Sequence, residues 1–403
     1  MLSVAEARAR IVSAFKPVET ETVALSEASL RTLAANVIAK RTQPPLDVSA
    51  MDGFAVRGAD VTVAPVTLKV VDEIAAGALP KRAIQSGEAA RIATGAPLPE
   101  GADTIVIQEN TTRDGEHVTV RHVPQPGRHI RKAGIDFRAG DTVLAAPRRL
   151  SGADIALAAA AGVSELAVRR RPRVAILSTG DELVRPGEKS GPSQIVASSS
   201  YGLIALLREW GAEPIDLGIA RDTADDLVAA ARKAANVDLL VTLGGASVGD
   251  RDLIRSGLAP EGLALDFWKI AMRPGKPLLF GKLKATPLLG LPGNPVSALV
   301  CAHLFLKCGV DALLGLPAAA PAFTTVRLGR DLPANDDRED YLRATLARAP
   351  DGTLTATPFE TQDSSMLSAL SAAGALVQRP PHAPAARAGD PVPALILREP
   401  GPH

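Results

Sequence analysis

Acidic side chains follow three apolar runs of the chain, at the point where each run ends. Residues 173–178 lead into Thr179-Gly180-Asp181-Glu182, residues 214–218 lead into Asp222, and residues 237–243 lead into Gly244-Gly245 and Asp252. Ligands of open α/β sheets bind outside the carboxyl ends of the strands, so these loops are expected to meet at one crevice. Carboxylates beside glycine-rich backbone suit Mg²⁺, which keeps several waters and usually also binds a substrate phosphate.

The third of these loops contains Gly245-Ala246-Ser247-Val248-Gly249, which matches the nucleophile elbow of serine hydrolases. An elbow serine needs a later histidine, and the candidates are His303, His382 and His403, with no His-Gly-Gly-Gly segment before the serine. A phosphate-cradling turn is the better interpretation, in which backbone N–H groups and the Ser247 hydroxyl face an anion. A serine hydrolase that uses Ser247 stays the remote alternative.

A basic segment lies further along the chain. Lys269, Arg273 and Lys276 fall within eight positions, directly after Trp268. Three cations this close together can bind an oxyanion. The segment therefore predicts an anion site.

The loop Pro292-Gly293-Asn294-Pro295 ends a predicted strand and begins a predicted helix. Asn294 suits the N-cap position, and Pro295 suits the first helical position. The N-terminus of that helix would add positive potential to the same crevice.

The elements that must position these residues are those of an α/β protein with several domains. The apolar runs predict a parallel sheet with right-handed crossovers, since helical spacing, as at Leu203, Leu206, Leu207 and Trp210, separates them. The predicted domains are a small helical domain over residues 1–40 and 142–170, an inserted β-rich domain over 41–141, the α/β domain over 171–317, and a C-terminal β domain over 318–403.

Composition excludes several classes of function. The 403 residues carry 45 basic and 44 acidic side chains, a net charge of +1, so no global field recruits nucleic acid or anionic lipid. Cys301 and Cys308 lie about 10 Å apart along one predicted helix, too far for a disulfide. The start of the chain has charges where a signal peptide needs apolar residues, and no apolar run approaches the roughly 20 residues of a membrane span. We expect a cytoplasmic protein.

Six motifs, in order, resemble those of the molybdopterin molybdenumtransferase family, which includes the E domain of gephyrin. They are Ser49-Ala50-Met51-Asp52-Gly53-Phe54-Ala55, Thr94-Gly95-Ala96-Pro97-Leu98-Pro99, Ser178-Thr179-Gly180-Asp181-Glu182-Leu183, the segment 244–252, Pro274-Gly275-Lys276-Pro277, and Leu291-Pro292-Gly293-Asn294-Pro295-Val296-Ser297. The resemblance covers nearly the whole chain, and six motifs in order are far more specific than any one alone.

The resemblance implies a four-domain homodimer whose α/β domain binds molybdopterin and whose cleft is completed by the inserted domain of the partner. It implies insertion of molybdate into adenylylated molybdopterin, with Mg²⁺-dependent cleavage of the phosphoanhydride and release of AMP. A molybdopterin adenylyltransferase and the enzymes that use the cofactor are the candidate partners.

The resemblance also implies roles for individual residues. The implied catalytic residues are Asp52, Thr94, Asp136, Glu182, Asp222, Asp252, Lys269 and Arg273, of which Glu182, Asp222 and Asp252 would hold the metal. The implied pterin-binding residues are Thr179, Gly180, Asp181, Gly244, Gly245, Ser247, Gly249, Lys276, Pro292, Gly293, Asn294 and Pro295. Without the resemblance, nothing in the sequence would assign chemistry to Asp52, Thr94 or Asp136.

This chain departs from the family pattern at two places. After Gln194-Ile195 the family usually has an Asp and, two positions on, an Asn, where this chain has Ala197 and Ser199. Arg273 replaces a frequent lysine, which keeps the charge but not the geometry. The first departure motivates an alternative function, a molybdopterin-binding or scaffolding relative without catalysis.

Overall fold

The computed structural model describes residues 1–234, 236–245, 253–318 and 320–400. The chain divides into two compact units. The smaller unit comprises Thr22–Ser29 and Ala35–Ala167, and the larger comprises Met1–Glu21, Leu30–Ala34 and Val168–His403. The α-helices are α1 (Val4–Ser13), α2 (Gly152–Ala160), α3 (Ser198–Glu209), α4 (Ala224–Arg232), α5 (Leu253–Leu258), α6 (Pro295–Cys301), α7 (Lys307–Leu313) and α8 (Leu367–Ala372).

The smaller unit is built mainly of β-strands, as the alternating sequence predicts. Its largest sheet has the strand order Thr104–Ile107, Gly53–Val56, Glu88–Ile92, Val66–Ile74, His117–Val120 and Thr111–Asp114. The unit also contains two short strand pairs, Val48–Ser49 with Ile130–Arg131 and Val37–Ile38 with Thr142–Leu144. Buried alternate residues of these strands, such as Phe54 and Val56, form the core of the unit.

A six-stranded sheet forms the centre of the larger unit. Its order is Glu213–Ala220, Arg173–Thr179, Leu239–Leu243, Thr286–Leu291, Leu279–Leu283 and Leu263–Phe267. The first four strands are parallel, whereas the last two run antiparallel to their neighbours. The prediction of a parallel sheet is therefore confirmed for the strands that carry the acidic and glycine-rich loops.

Both faces of this sheet are buried, which explains why its strands are nearly continuous apolar runs. Val174 and Ile176 point to one face, where α3 and α6 pack, and Ala175 and Leu177 point to the other, where α4 and α5 pack. Thr223 caps α4, because its side chain accepts a hydrogen bond from the backbone of Asp226.

The C-terminal part of the larger unit is a closed β structure. Its strands follow the order Met272–Arg273, Glu339–Arg348, Leu354–Pro358, Phe323–Leu328, Pro391–Ile396 and Ala375–Arg379, and the last also pairs with Glu339–Arg348. This agrees with the predicted C-terminal β domain. The sheet begins with a strand from the basic segment, so that segment is joined to the C-terminal strands.

The prediction of helix over residues 1–40 is wrong for most of that stretch. Helix α1 covers only Val4–Ser13, where Ser3 and Glu6 form a capping box. Beyond it lie the short strands Thr20–Ala24, Thr32–Leu33 and Val37–Ile38. The threonines and valines of these segments favour extended backbone, and their alternation was too brief to reveal it.

The prediction that no apolar run approaches the length of a membrane span is wrong for the helical segment that begins at Pro295. Pro295–Leu313, which includes a π-helical part at Ala302–Leu306, is a 19-residue stretch with the length and hydropathy of a membrane span. Most of it is buried inside the protein, as in a core helix. Its two cysteines, Cys301 and Cys308, are buried and form no disulfide, as predicted.

Candidate active site

A cavity of about 1110 Å³ opens at the carboxyl ends of the parallel strands. The loops that follow four strands line it, as expected for an open α/β sheet. From the residues predicted to bind substrate or metal, the structure brings together Thr179, Gly180, Asp181, Glu182, Asp222, Gly244, Gly245, Pro292, Gly293, Asn294 and Pro295. Both described metal-ligand candidates, Glu182 and Asp222, face this one cavity.

The acidic loop after the strand Arg173–Thr179 is a tight turn. The Leu183 N–H donates to the Gly180 carbonyl at 3.2 Å, and Gly180 has φ of 150°. A Cβ atom at Gly180 would lie 2.6 Å from a carboxylate oxygen of Glu182, so a side chain there would displace that carboxylate. The neighbouring Asp181 accepts a hydrogen bond of 3.1 Å from the backbone N–H of Asp222, which fixes two acidic loops against each other.

The glycine pair lies beside the acidic loop. Gly244 has φ of 85°, and a Cβ atom there would lie 2.8 Å from the backbone oxygen of Thr179. The Thr179 hydroxyl donates to the Leu243 carbonyl at 3.3 Å. Only glycine permits this close approach of two strand ends, and both Gly244 and Gly245 line the cavity.

The side chain of Asn294 does not cap α6, contrary to the prediction from its position. It occupies the N-cap of α6, with Pro295 at the first helical position, but its side chain makes no capping hydrogen bond. Its Nδ2 instead donates to the Ser364 hydroxyl at 2.9 Å. The amide therefore ties the cavity wall to the C-terminal part of the chain.

Sequence reasoning missed the C-terminal wall of the cavity, which includes Ser365 and Leu367. The fully buried Arg343 holds this segment, because its guanidinium donates to the Asp363 carbonyl at 2.8 Å and to Gln362 Oε1 at 3.2 Å. A single arginine in a β-like run gave no signal of this role. Sequence reasoning also missed Ser178 and Ser297, buried serines that line the cavity.

The basic segment is placed differently from the acidic loops. Lys269, Arg273 and Lys276 are absent from the cavity lining, although the adjoining Pro277 belongs to it. The Lys269 Nζ lies 4.1 Å from the ring centroid of Trp268. Lys276 is exposed.

Arg273 contacts acids of the C-terminal strands. Its guanidinium pairs with Asp340 and, at 3.3 Å, with Asp336. Asp340 is buried, and this burial raises the pKa of its carboxyl. A substrate-binding role for Arg273 stays a prediction, and its observed contacts join two parts of the larger unit.

Two of the three predicted residues of the smaller unit are in contact. The Thr94 backbone N–H and hydroxyl donate to the same oxygen of Asp52, at 2.7 and 2.9 Å. These hydrogen bonds, the backbone one first, lower the pKa of Asp52. Arg91 supports the turn by donating to the Gly53 carbonyl at 2.8 Å. Asp136 is exposed and lines a separate groove of the same unit.

Three predicted site residues, Ser247, Gly249 and Asp252, lie outside the described residues. Their roles stay predictions. Of the histidines that a Ser247 hydrolase would need, His303 is half-buried and packs against Trp210, with ring centroids 5.6 Å apart. Burial lowers the pKa of His303 to about 4.

The cavity fits Mg²⁺ by the chemistry of its donors. Glu182 and Asp222 supply carboxylate oxygens at one cavity. Within the described ranges, no group of three or more His, Cys, Asp or Glu side chains is arranged to hold a metal ion. Mg²⁺ is nevertheless commonly held by one or two carboxylates together with water and substrate phosphates, so two acids are sufficient.

Comparison with known proteins defines the class of this protein. Residues 2–162 match the model of the MoeA N-terminal region (domain I and II), residues 175–312 match that of a probable molybdopterin binding domain, and residues 325–397 match that of the MoeA C-terminal region (domain IV). The α/β domain with the cavity is therefore the part similar to molybdopterin-binding domains.

Curated relatives and solved structures agree. The molybdopterin molybdenumtransferase of Nostoc sp. is 42% identical over 81% of this chain and 77% of its own length, and that of Bacillus subtilis is 34% identical over 99% and 94%. A crystal structure of a molybdopterin biosynthesis MoeA protein from Pyrococcus horikoshii OT3 has a TM-score of 0.85 at 26% identity, covering 98% of this chain and 100% of its own. The chain belongs to the molybdopterin molybdenumtransferase family, which confirms the predicted resemblance.

Proposed function

We propose that this protein inserts molybdenum into molybdopterin, as the names of its relatives indicate, and that molybdate is its metal-bearing substrate. We further propose that the pterin arrives adenylylated and that the reaction cleaves its phosphoanhydride with Mg²⁺ and releases AMP. The observation that carries the proposal is the joint placement of Glu182, Asp222 and the Gly244–Gly245 backbone at one cavity. At about 1110 Å³ the cavity is large enough for a nucleotide-capped pterin.

The described side chains have separate parts in this proposal. Glu182 and Asp222 would hold Mg²⁺, with Asp252 as the third predicted ligand, and Mg²⁺ would neutralise the charge that develops on the phosphoanhydride. The Gly245 N–H would orient the substrate by donating to it, whereas the Gly244 N–H already donates to the Leu291 carbonyl at 3.2 Å. Lys276, next to the cavity wall, would attract the molybdate dianion, and the roles of Lys269 and Arg273 at molybdate stay predictions.

We also propose the homodimer that the family resemblance implies. In it, Asp52, Thr94 and Asp136 of one subunit would complete the cavity of the other. The Asp52 carboxylate is suited to such a role because Thr94 occupies only one of its two oxygens. Sedimentation velocity measures the state of assembly, and a monomer at the concentrations used for the activity assay would contradict this part of the proposal.

A cytoplasmic location follows from the proposed reaction, since an intracellular pool of nucleotide-activated pterin is its substrate. The four predicted domain boundaries and a molybdopterin adenylyltransferase partner belong to the same proposal. Co-purification of the adenylylated pterin with the protein would support a direct supply.

The experiment that tests the function measures AMP release by the purified protein from adenylylated molybdopterin. We expect release to depend on both molybdate and Mg²⁺, and to stop when a chelator removes the metal. AMP release at the same rate without molybdate would contradict molybdenum insertion. The Glu182→Gln variant, which keeps the shape of the side chain without its charge, is the matched active-site control.

A second function is favoured by one specific observation. Ala197 and Ser199, which depart from the family pattern, both line the cavity. A relative that binds molybdopterin without turnover would keep the cavity and lose the reaction. Binding and AMP release measured on one preparation distinguish the two, because this alternative requires affinity without product.

A further inference from the structure

The side-chain hydroxyls of three serines in the cavity wall have no hydrogen-bond partner among the residues that the structure describes. Ser178, Ser199 and Ser297 are only 3%, 9% and 5% exposed, respectively, and all three line the cavity. Polar side chains at largely buried positions are nearly always hydrogen-bonded to protein, water or a ligand. Because these unpaired hydroxyls open to one cavity, they are available to a ligand with several acceptor atoms.

The first turn of α3 presents further donors to the same cavity. Its N-cap residue is Ala197, which has no side-chain oxygen and makes no capping hydrogen bond. The first backbone N–H groups of a helix have no acceptor within the helix. Ala197, Ser198 and Ser199 all line the cavity, so an acceptor for these N–H groups can come from a bound ligand.

The elements that carry the serines are neighbours. Helix α3 packs directly on α6, since a Cβ atom at Gly202 would lie 3.0 Å from Leu299. Ser199 and Ser297 are on these two helices, and Ser178 is at the end of the strand Arg173–Thr179, which α3 covers. The donors thus come from three elements that meet at one part of the wall.

This part of the wall adjoins the acidic loop. The Ile195 N–H donates to the Glu182 carbonyl at 2.8 Å, and the strands Leu183–Val184 and Ile195–Val196 pair just before α3 begins. Within the described lining there is no lysine or arginine. An anion here would therefore be held by neutral donors next to the carboxylates proposed to bind Mg²⁺.

We propose that Ser178, Ser199, Ser297 and the first-turn N–H groups of α3, together the serine subsite, bind a tetrahedral oxyanion of the substrates. Hydroxyl and backbone N–H groups are the donors that such an anion accepts from, and the anion would supply the cap that Ala197 lacks. The subsite rests on the proposed function and deepens it. The oxyanion is either a phosphoryl group of the pterin substrate or molybdate, which share this geometry.

In the serine subsite, Ala197 favours oxyanion binding because it leaves the N-terminal N–H groups of α3 free. It is then not merely the loss of a family contact. In Ala197→Asp, the new carboxylate would cap α3 and occupy the donors, so oxyanion affinity falls at least tenfold. If position 197 has instead only lost a family contact, Ala197→Asp would raise turnover and leave oxyanion affinity unchanged. That result would overturn the subsite.

The direct test is equilibrium dialysis of the full chain with labelled inorganic phosphate and, separately, labelled molybdate. We expect Ser199→Ala to weaken binding about tenfold, the effect of one hydrogen bond to a charged acceptor. Ser200→Ala is the matched control, because its hydroxyl is also buried in α3 but already donates to the Ala197 carbonyl at 3.2 Å. Thermal unfolding of each variant shows whether it is folded.

Weakened phosphate binding alone assigns the subsite to a phosphoryl group of the pterin substrate, and weakened molybdate binding alone assigns it to molybdate. Unchanged binding of both anions by Ser199→Ala, equal losses in Ser200→Ala, or no binding by the unaltered protein would overturn the proposal. Because dialysis needs no turnover, its result is independent of whether the unaltered protein releases AMP.

Discussion

The acidic loops and the basic segment of the larger unit look alike in sequence, since each is a compact charged cluster beside glycine or proline. The structure treats them differently. Asp181, Glu182 and Asp222 face the cavity, whereas Lys269 and Arg273 contact Trp268, Asp336 and Asp340. A charged cluster is therefore informative when the topology fixes its position, as it does at the carboxyl ends of parallel strands.

The largest expected effect belongs to the acidic loops. Glu182→Gln removes a proposed metal ligand, so we expect AMP release to fall by roughly 100-fold or more, with the fold retained. Mn²⁺ binding, followed by electron paramagnetic resonance, is the independent measurement and should weaken in parallel. Full Mn²⁺ affinity together with full activity would show that Glu182 is not a metal ligand and is not needed for the reaction.

The next effect belongs to Arg273 and appears in stability. Arg273→Ala leaves the carboxylate of Asp340 buried without its cation, and the half-exposed arginine limits the expected loss to about 2 kcal/mol in the free energy of unfolding. Denaturant unfolding measures it. If stability is unchanged and AMP release is lost, Arg273 acts on substrate as the family resemblance implies.

That loss has a defined pH dependence. Burial raises the pKa of Asp340 in the folded protein above its value in the unfolded protein, which is near 3.8. At a pH between these two pKa values, the folded protein binds more protons at Asp340 than the unfolded protein does. The contribution of this group to stability is therefore greatest at low pH and is lost as the pH rises through that window. We expect the difference between Arg273→Ala and the unaltered protein to shrink as the pH is lowered. A difference independent of pH would contradict the assignment to Asp340.

Lys276 belongs to the basic segment, but it is an exposed cation that lies beside the cavity wall. We expect Lys276→Ala to raise KM for molybdate about tenfold, without a change in unfolding free energy, through loss of one charge-assisted contact. Lys284→Ala removes an exposed lysine that instead lies 3.8 Å from Glu261, and it is the control. An equal change in both variants would indicate a general effect of charge.

The smallest effect is expected at Lys269. Its ammonium group lies over Trp268, and contacts of this kind contribute about 0.5–1 kcal/mol at partly exposed sites. Lys269→Met should therefore lower the unfolding free energy by no more than about 1 kcal/mol. A loss of turnover without such a change would place Lys269 at molybdate instead.

The sequence was sufficient for the parallel core of the fold and for its cavity. The runs before Glu182, Asp222 and Gly244 are continuous because both sheet faces are buried, and parallel strands bring their ends together. The short strands after α1 were missed because two-residue strands such as Thr32–Leu33 have no measurable period. Asn294 was predicted to cap α6, and its bond to Ser364 depends on a segment 70 residues away.

The site itself was only partly predictable. Glycines at Gly180 and Gly244 pointed to backbone approach, and the structure shows why larger residues do not fit. The contacts of Arg273 with Asp336 and Asp340 could not be foreseen, since they depend on how the C-terminal strands pair with Met272–Arg273. Isolated serines such as Ser178 and Ser297 have no spacing that distinguishes them from ordinary core residues.

The catalytic role of the acids at the strand ends is tested most directly by comparing molybdate-dependent AMP release by Asp222→Asn and Asp225→Asn. Asp222 lines the cavity, whereas Asp225 is an exposed acid three positions later, in the first turn of α4. We predict that Asp222→Asn abolishes release while it stays folded, and that Asp225→Asn keeps nearly full activity. Undiminished release by folded Asp222→Asn would contradict a catalytic role for the acids at the strand ends.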